Sequence, residues 1–291
     1  MLDPRLPTVP DDWTVWAFSD THGVTSGLIA ALQAAGLLDA ALHWVAPART
    51  ALVGCGDYLD RGKDVPGLLA LLRRLQAAAA AAGSAVLLAR GNHEAMPLMV
   101  RAGAHEWLPT WLEYGGDATV EAFGCRLEEV FGPEPLVAHL EAADPGLFAW
   151  LAGLPQAVRW RDVLFVHGGL PPDRAARDLG ISTDEHLWIR SAFFDTPWDA
   201  PEFAAYRAEG IGRVVFGHTP QWSGATLYHA GRSLGIDTNA VGNPRMPSGA
   251  VQEVTLLGLV GDELFERARL VTVPTQDAPE RMAHRRDRAG G

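Results

Sequence analysis

The first ninety residues alternate short apolar runs with helical stretches, and every apolar run ends in a polar loop rich in glycine. Thr14 to Phe18 leads into Ser19-Asp20-Thr21-His22-Gly23, and Thr50 to Val53 into Gly54-Cys55-Gly56-Asp57. Ala85 to Ala89 runs into Arg90-Gly91-Asn92-His93-Glu94. Between them lie helical patterns from Thr25 to about Gly36 and from Val65 to Ala82, the latter closed by Gly83. A strand–loop–helix figure recurring about every 35 residues is the rhythm of right-handed βαβ units, and it predicts a largely parallel sheet. Such sheets gather their ligands at the carboxyl ends of the strands, where the polar loops fall here.

From Ala95 to about Leu154 the pattern changes to helices broken by Gly and Pro. Trp107, Leu108, Trp111 and Leu112 have helical spacing, and Pro135 to Ala143 and Pro145 to Leu154 read as two short helices, so this stretch is expected to be a helical, cap-like insertion. Strands resume at Val158–Trp160, Val163–Val166, Val214–Phe216, Thr226–His229, Leu234–Ile236 and Val251–Leu257. They come without long intervening helices, which predicts an antiparallel sheet. An α/β fold with two mixed sheets packed as a central sandwich, flanked by helices, accommodates both halves. A single domain over 1–274 is expected, with 275–291, rich in Pro, Arg and Gly, as a disordered tail.

Composition narrows the function. The formal charge of -11 argues against duplex nucleic acid as a partner and against a polybasic membrane anchor. A 48% hydrophobic, 20% charged chain is an ordinary globule that buries a core without disulfides. Cys55 and Cys125 form no CxxC pattern, so no disulfide framework or thiolate metal site is indicated, and Cys55 reads as a small buried residue. Met1 to Asp12 lacks the features of a signal peptide, and the Val65–Ala82 stretch is interrupted by Arg73, Arg74 and Gln76. A reduced, cytoplasmic protein with no membrane partner is expected.

Five strand ends carry residues of metal-ligand type: Asp20 and His22; Asp57 with Asp60 and Arg61; Asn92 with His93 and Glu94; His167; and His218. Taken singly, an Asp-x-His arises by chance, and a lone His after a strand is more often structural than a ligand. Jointly, five loops at one sheet edge converge on a single crevice. Glycines beside each group (Gly23, Gly56, Gly62, Gly91, Gly168, Gly169, Gly217) allow tight turns and close backbone approach.

In order, Ser19-Asp20-Thr21-His22-Gly23, Gly56-Asp57-Tyr58-Leu59-Asp60-Arg61-Gly62, Gly91-Asn92-His93-Glu94, His167-Gly168-Gly169 and Gly217-His218-Thr219 resemble the motif set of the PPP-type, calcineurin-like metallophosphoesterases. That superfamily includes the serine/threonine phosphoprotein phosphatases. The resemblance spans roughly residues 14 to 257, and Trp111 with Gly115-Gly116, Phe165 to Pro171, Leu187 to Arg190 and Gly235 to Thr238 resemble its bacterial branch. Ser19 stands where the family usually has Gly, and Asn239 where a Gly is common; neither departure removes a ligand.

The resemblance implies two divalent metal ions. Asp20, His22 and Asp57 would hold one, and Asp57, Asn92, His167 and His218 the other, with Asp57 bridging. Imidazole, carboxylate and amide oxygen suit Mn, Fe, Zn, Co or Ni, with Mn²⁺ the first choice. A metal-bridging hydroxide would attack phosphorus directly. His93 would be the general acid, with Asp60 orienting it and raising its pKa, while Arg61 and Arg190 grip phosphate oxygens. Asp237 would support the ligand loops, Glu94 would make local hydrogen bonds, and Tyr58 would either line the crevice mouth or pack.

The expected function is hydrolysis of phosphomonoesters, on a phosphorylated protein (phosphoserine, phosphothreonine or phosphotyrosine) or a small phosphoester. The alternative is a small-nucleotide hydrolase of the same superfamily, acting on dinucleoside polyphosphates or cyclic nucleotides. A degenerate phosphate-binding module would have a damaged ligand set, and this one is intact; a nuclease is disfavoured by the acidity. The ten Trp read as core rather than as a stacking platform, and His43, His105, His139, His186, His229 and His284 as surface or structural residues.

Overall fold

The computed structural model describes residues 6–128, 132–173, 184–242, 246–260, 265 and 268–275. After a two-residue strand, β1 (Thr8–Val9), the apolar runs of the N-terminal repeat form β2 (Thr14–Phe18), β3 (Thr50–Gly54) and β4 (Ala85–Leu88). They pair in parallel, Val15 opposite Ala51 and Ala51 opposite Ala85. All of β3 is buried, as a central parallel strand covered on both faces must be.

The connecting helices α1 (Thr25–Ala34) and α2 (Val65–Ala81) cover the outer face of this sheet. Asp64 caps α2 by accepting the Gly67 N–H at 3.0 Å, and Pro66 occupies its first turn. Its Val65, Leu68, Leu72, Leu75 and Ala79 form the buried stripe, while Arg73, on the flank, pairs with Asp144 at 2.8 Å. The insertion follows as α3 (Asn92–Arg101), α4 (Trp107–Trp111), a turn kinked at Gly115 (Leu112–Gly116), α5 (Asp117–Ala122), α6 (Pro133–Ala143) and α7 (Leu147–Gly153). Helix α3 starts earlier than expected, so the Asn92-His93-Glu94 motif lies on its first turn rather than in a loop.

The second sheet comprises β5 (Ala157–Trp160), β6 (Val163–Val166), β7 (Arg213–Phe216), β8 (Thr226–Tyr228) and β9 (Ser233–Gly235), with β1 on its edge, in the order β1-β5-β6-β7-β9-β8. The antiparallel expectation holds only for the β5–β6 and β8–β9 pairs. β6, β7 and β9 run parallel, because α8 (Glu185–Trp188), α9 (Ser191–Asp195) and α10 (Ala204–Ala208) build a crossover between β6 and β7. Those helices are too short for a 3.6-residue period to register in the sequence. β10 (Glu253–Leu259) returns antiparallel to β2, and β11 (Arg269–Pro274), which the sequence reading missed, pairs with β10. The first sheet is therefore ordered β11-β10-β2-β3-β4.

The sheets pack face to face through Val15, Ala17, Val53, Val158, Phe165 and Val215, with helices outside both. Cys55 belongs to this inner core and Cys125 to the outer one; neither is in a disulfide, and burial pushes the Cys55 pKa up. Thr275, where the expected tail begins, donates its N–H to Gln252 and its hydroxyl to Ala240; the rest of that segment and His284 lie outside the described residues. Among the described residues no helix is long and apolar enough to cross a membrane. Phe165, fully buried between the sheets, sets a test: Phe165→Ala should cost about 3–5 kcal/mol in urea denaturation. Leu227→Ala, at an exposed edge position, should stay within about 0.5 kcal/mol.

Candidate metal centre

The polar loops past β2, β3, β4, β6 and β7 meet at one edge of the sandwich, and all ten residues singled out in the sequence lie around that crevice. Asp57 is its middle. Its Oδ2 lies 3.5 Å from His22 Nε2 and 3.8 Å from His93 Nε2, while Oδ1 lies 3.3 Å from His167 Nε2 and accepts the His93 N–H at 3.1 Å. His22, Asp57 and His93 form one group of donor atoms, and Asp57, His167 and His218 a second. Asn92 Oδ1 sits 2.8 Å from His167 Nε2. Asp20 turns its carboxylate to the His218 N–H, at 2.9 Å, and accepts the Ser19 hydroxyl. That hydroxyl is what the departure from Gly at position 19 contributes. Arg190 closes the His218 side, donating to Thr219 at 3.0 Å.

The backbone reaches this arrangement through left-handed turns. Asp20, His22, Asp57, Asp60, Arg61 and His218 all have φ between 43° and 70°. Asp and His tolerate this region better than bulkier residues, and clusters of such conformations mark functional loops. Asn239, the other departure from the family, adopts φ 60° in the same manner. Gly91 is required by proximity, since a Cβ there would lie 2.2 Å from Asp57 Oδ1.

Hydrogen bonds fix the imidazole tautomers. His22 Nδ1 donates to Leu59 O at 2.6 Å, His93 Nδ1 to Asp60 at 2.6 Å, and His167 Nδ1 to Cys55 O at 2.8 Å. Each therefore turns Nε2 toward Asp57, the arrangement of a metal-ligating histidine whose far nitrogen is anchored. His218 is reversed: its Nε2 donates to Trp188 O at 3.3 Å, which leaves Nδ1 as the lone-pair nitrogen.

The donor set fits cations. Five buried carboxyl groups, Asp20, Asp57, Asp60, Glu94 and Asp237, share the pocket and its walls. Burial, then repulsion from Asp237, raises the Asp20 pKa well above the ordinary carboxylate range. Burial pushes Asp237 up to about 6. His167 would be lowered by burial, but the Asp57 carboxylate outweighs this and brings it up to about 9. The Arg61 guanidinium lies between Nε2 of His22 and Nε2 of His93, at 2.8 and 2.7 Å. Positive charge is thus already accommodated on both sides of Asp57, where imidazole nitrogens and oxygens converge.

One expectation is corrected and one open choice is decided. Asp60 does pair with His93, yet the His93 pKa is pushed down rather than up, by burial first and then by the Arg61 charge. Of the two readings of Tyr58, packing holds: it is fully buried, and its hydroxyl donates to Ala89 O and accepts the Gly56 N–H. Supports that the sequence reading missed come from the insertion: Thr119 Oγ1 donates to Asp60 at 2.6 Å and Trp111 Nε1 at 3.1 Å. Glu94 does more than local bonding, accepting the N–H groups of Gly91, Asp57, Tyr58 and Leu59 at 2.8–3.1 Å. The Glu three residues past the helix cap was its only sequence signal.

Residues 14–238 match the calcineurin-like phosphoesterase family. The chain belongs to that family. It is 38% identical to serine/threonine-protein phosphatase 1 of Salmonella typhimurium over 210 residues, covering 71% of this chain and 78% of the relative. Its fold is similar to that of a cold-active protein-tyrosine phosphatase from a psychrophilic Shewanella, with TM-score 0.59, 21% identity, 93% of this chain and 83% of the other covered. It is similar also to the structure of a candidate diadenosine tetraphosphatase, with TM-score 0.57, 20% identity and coverage of 94% and 99%. As a member, this chain is a metal-dependent phosphoesterase, and its crevice carries side chains that could hold metal ions.

Glu94→Gln replaces two acceptor oxygens by one and faces an NH₂ toward backbone donors. It should lower stability by about 1–3 kcal/mol in urea denaturation, and reduce the divalent metal retained after gel filtration, measured by mass spectrometry.

Proposed function

We propose that the chain is a dinuclear-metal phosphomonoesterase acting on phosphorylated protein side chains. The observation that carries this reading is the placement of Arg61 and His93 on one side of Asp57, the guanidinium fork and an imidazole Nε2 in direct contact at 2.7 Å. Asp20, His22 and Asp57 would hold one ion, and Asp57, Asn92, His167 and His218 the other, with Mn²⁺ the first candidate. When bound, the pair supplies Lewis acidity that activates water and neutralises the phosphoryl oxygens.

The chain's own residues do the rest. Arg61 and Arg190 bind and orient the phosphoryl oxygens from opposite sides, with the planar forks that match such oxygens. His93 turns Nε2 toward the leaving oxygen and would pass it a proton from the doubly protonated ring, which Asp60 orients through Nδ1. Thr119 and Trp111 keep Asp60 facing that nitrogen. We take residues 1–274 as one domain, and two buried cysteines outside any disulfide support a reducing, cytoplasmic setting.

Activity on an aryl phosphate should fall to background with a chelator and return with Mn²⁺; turnover that resists chelation would overturn the metal assignment. His93→Asn should lower kcat by about 10²–10⁴-fold with metal content unchanged. Because His93 lies with His22 and Asp57 in one donor group, loss of an ion in that variant would reassign it as a ligand. Comparing kcat/KM on phosphopeptides, a dinucleoside tetraphosphate and a 2′,3′-cyclic nucleotide separates the protein phosphatase from a nucleotide hydrolase.

A further inference from the structure

We propose that Trp188 and Tyr114, backed by Trp107, form an aromatic wall beside the phosphate-binding groups and select aryl phosphomonoesters, the phosphotyrosine side chain above all. The proposal rests on the phosphomonoesterase reading and adds the substrate class.

The wall starts at the metal centre. The Trp188 ring stands edge-on to His218, with centroids 6.2 Å apart and planes at 83°, and the Trp188 carbonyl accepts the His218 Nε2 hydrogen bond. Tyr114 and Trp107 tilt onto the same indole, at 6.3 and 6.0 Å. Two separate segments thus meet in one row of rings: the end of α8 and the helical insertion. Tyr114 is 40% exposed, an aromatic side chain left in solvent at the rim of the site.

The second observation is the kinked turn, Leu112–Gly116, that carries Tyr114. It directs two successive carbonyls at Arg61: Gly115 O accepts its backbone N–H at 3.0 Å, and Tyr114 O accepts its Nε at 3.3 Å. Gly115, at φ 106°, lets the turn approach that closely, since a Cβ there would lie 2.7 Å from Arg61 Cγ. The position of the wall is therefore fixed relative to the guanidinium that grips phosphate. In an aryl ester the ring is attached directly to the ester oxygen and meets a wall this close to His218. A serine or threonine ester places a single sp³ carbon there, and a nucleobase is held off by its ribose. Offset or edge-on stacking rewards the first of these.

The test compares kcat/KM on a phosphotyrosine and a phosphoserine peptide of otherwise identical sequence, with Mn²⁺ present. Wild type should prefer phosphotyrosine, and Tyr114→Ala and Trp188→Ala should each lower the ratio by about tenfold. Trp188→Phe should retain most of it. Tyr114→Ala is the cleaner variant, because the carbonyl that holds Arg61 is backbone and stays. A ratio unchanged in both variants, or equal losses on both peptides, overturns the proposal. Calorimetric binding of phenylphosphonate and ethylphosphonate to the Mn²⁺-loaded protein gives a readout without turnover. The phenyl compound should bind about tenfold more tightly, with the difference lost in Tyr114→Ala; equal affinities overturn the wall. If neither peptide is hydrolysed, the phosphomonoesterase reading fails and the binding comparison alone decides the wall. Tighter binding of adenosine 5′-monophosphate than of phenyl phosphate would assign the rings to a base and overturn the aryl selection.

Discussion

Each sheet contains three adjacent parallel strands, β2-β3-β4 in one and β6, β7 and β9 in the other, and both sets open their carboxyl ends on the same edge of the sandwich. The inner faces have to be apolar, so Val53 and Phe165 lie between the sheets and polar chemistry is displaced past the strand ends. Six loops follow from this, ending in Asp20, Asp57, Asn92, His167, His218 and Asp237. Asp237, past β9, is the sixth member that the count of five strand ends did not include. Joining the two halves by only one parallel set would leave the pocket without His167 and His218.

Concentrating carboxylates at such an edge costs solvation, and the fold offsets that cost with fixed dipoles. Glu94 is the clearest case: fully buried, it is surrounded by four backbone N–H groups, and these tie the start of α3 to the loop carrying Asp57. The same carboxylate therefore sets the distance between Asn92 and Asp57. Asp60 is satisfied by three side chains, from Thr119, Trp111 and His93. Asp57 instead faces the imidazoles of His22, His93 and His167, and Asp20 the His218 N–H and the Ser19 hydroxyl.

What could be read from the sequence divides along physical lines. The first sheet was legible because β2, β3 and β4 are separated by helices long enough to show their period, and α2 lies within one residue of its expected end. Residues that chemistry places at strand ends were legible too, from Asp20 to His218. The parallel order of the second sheet was not, since its crossover helices are four or five residues long. β1, two residues on an edge, and β11, an exposed edge strand, carry little burial and so little pattern. Thr119 and Trp111 reach Asp60 across 59 and 51 residues of chain, and no local spacing encodes such a contact. Tyr58 was ambiguous because a tyrosine in a motif loop packs or faces solvent according to neighbours that only the fold supplies.

The indole N–H of Trp111 ends on Asp60, and three residues further along the chain Tyr114 reaches Trp188. One short run of helix thus touches both the orientation of an imidazole and the outline of the pocket. Insertions in α/β enzymes are ordinarily the freely exchangeable part of the fold. Here a graft that brought in a new cap without an indole at that point would strip Asp60 of a donor as it reshaped the mouth. Divergence of this segment is therefore constrained from inside: the shape of the entrance and the aim of His93 are inherited as a single trait.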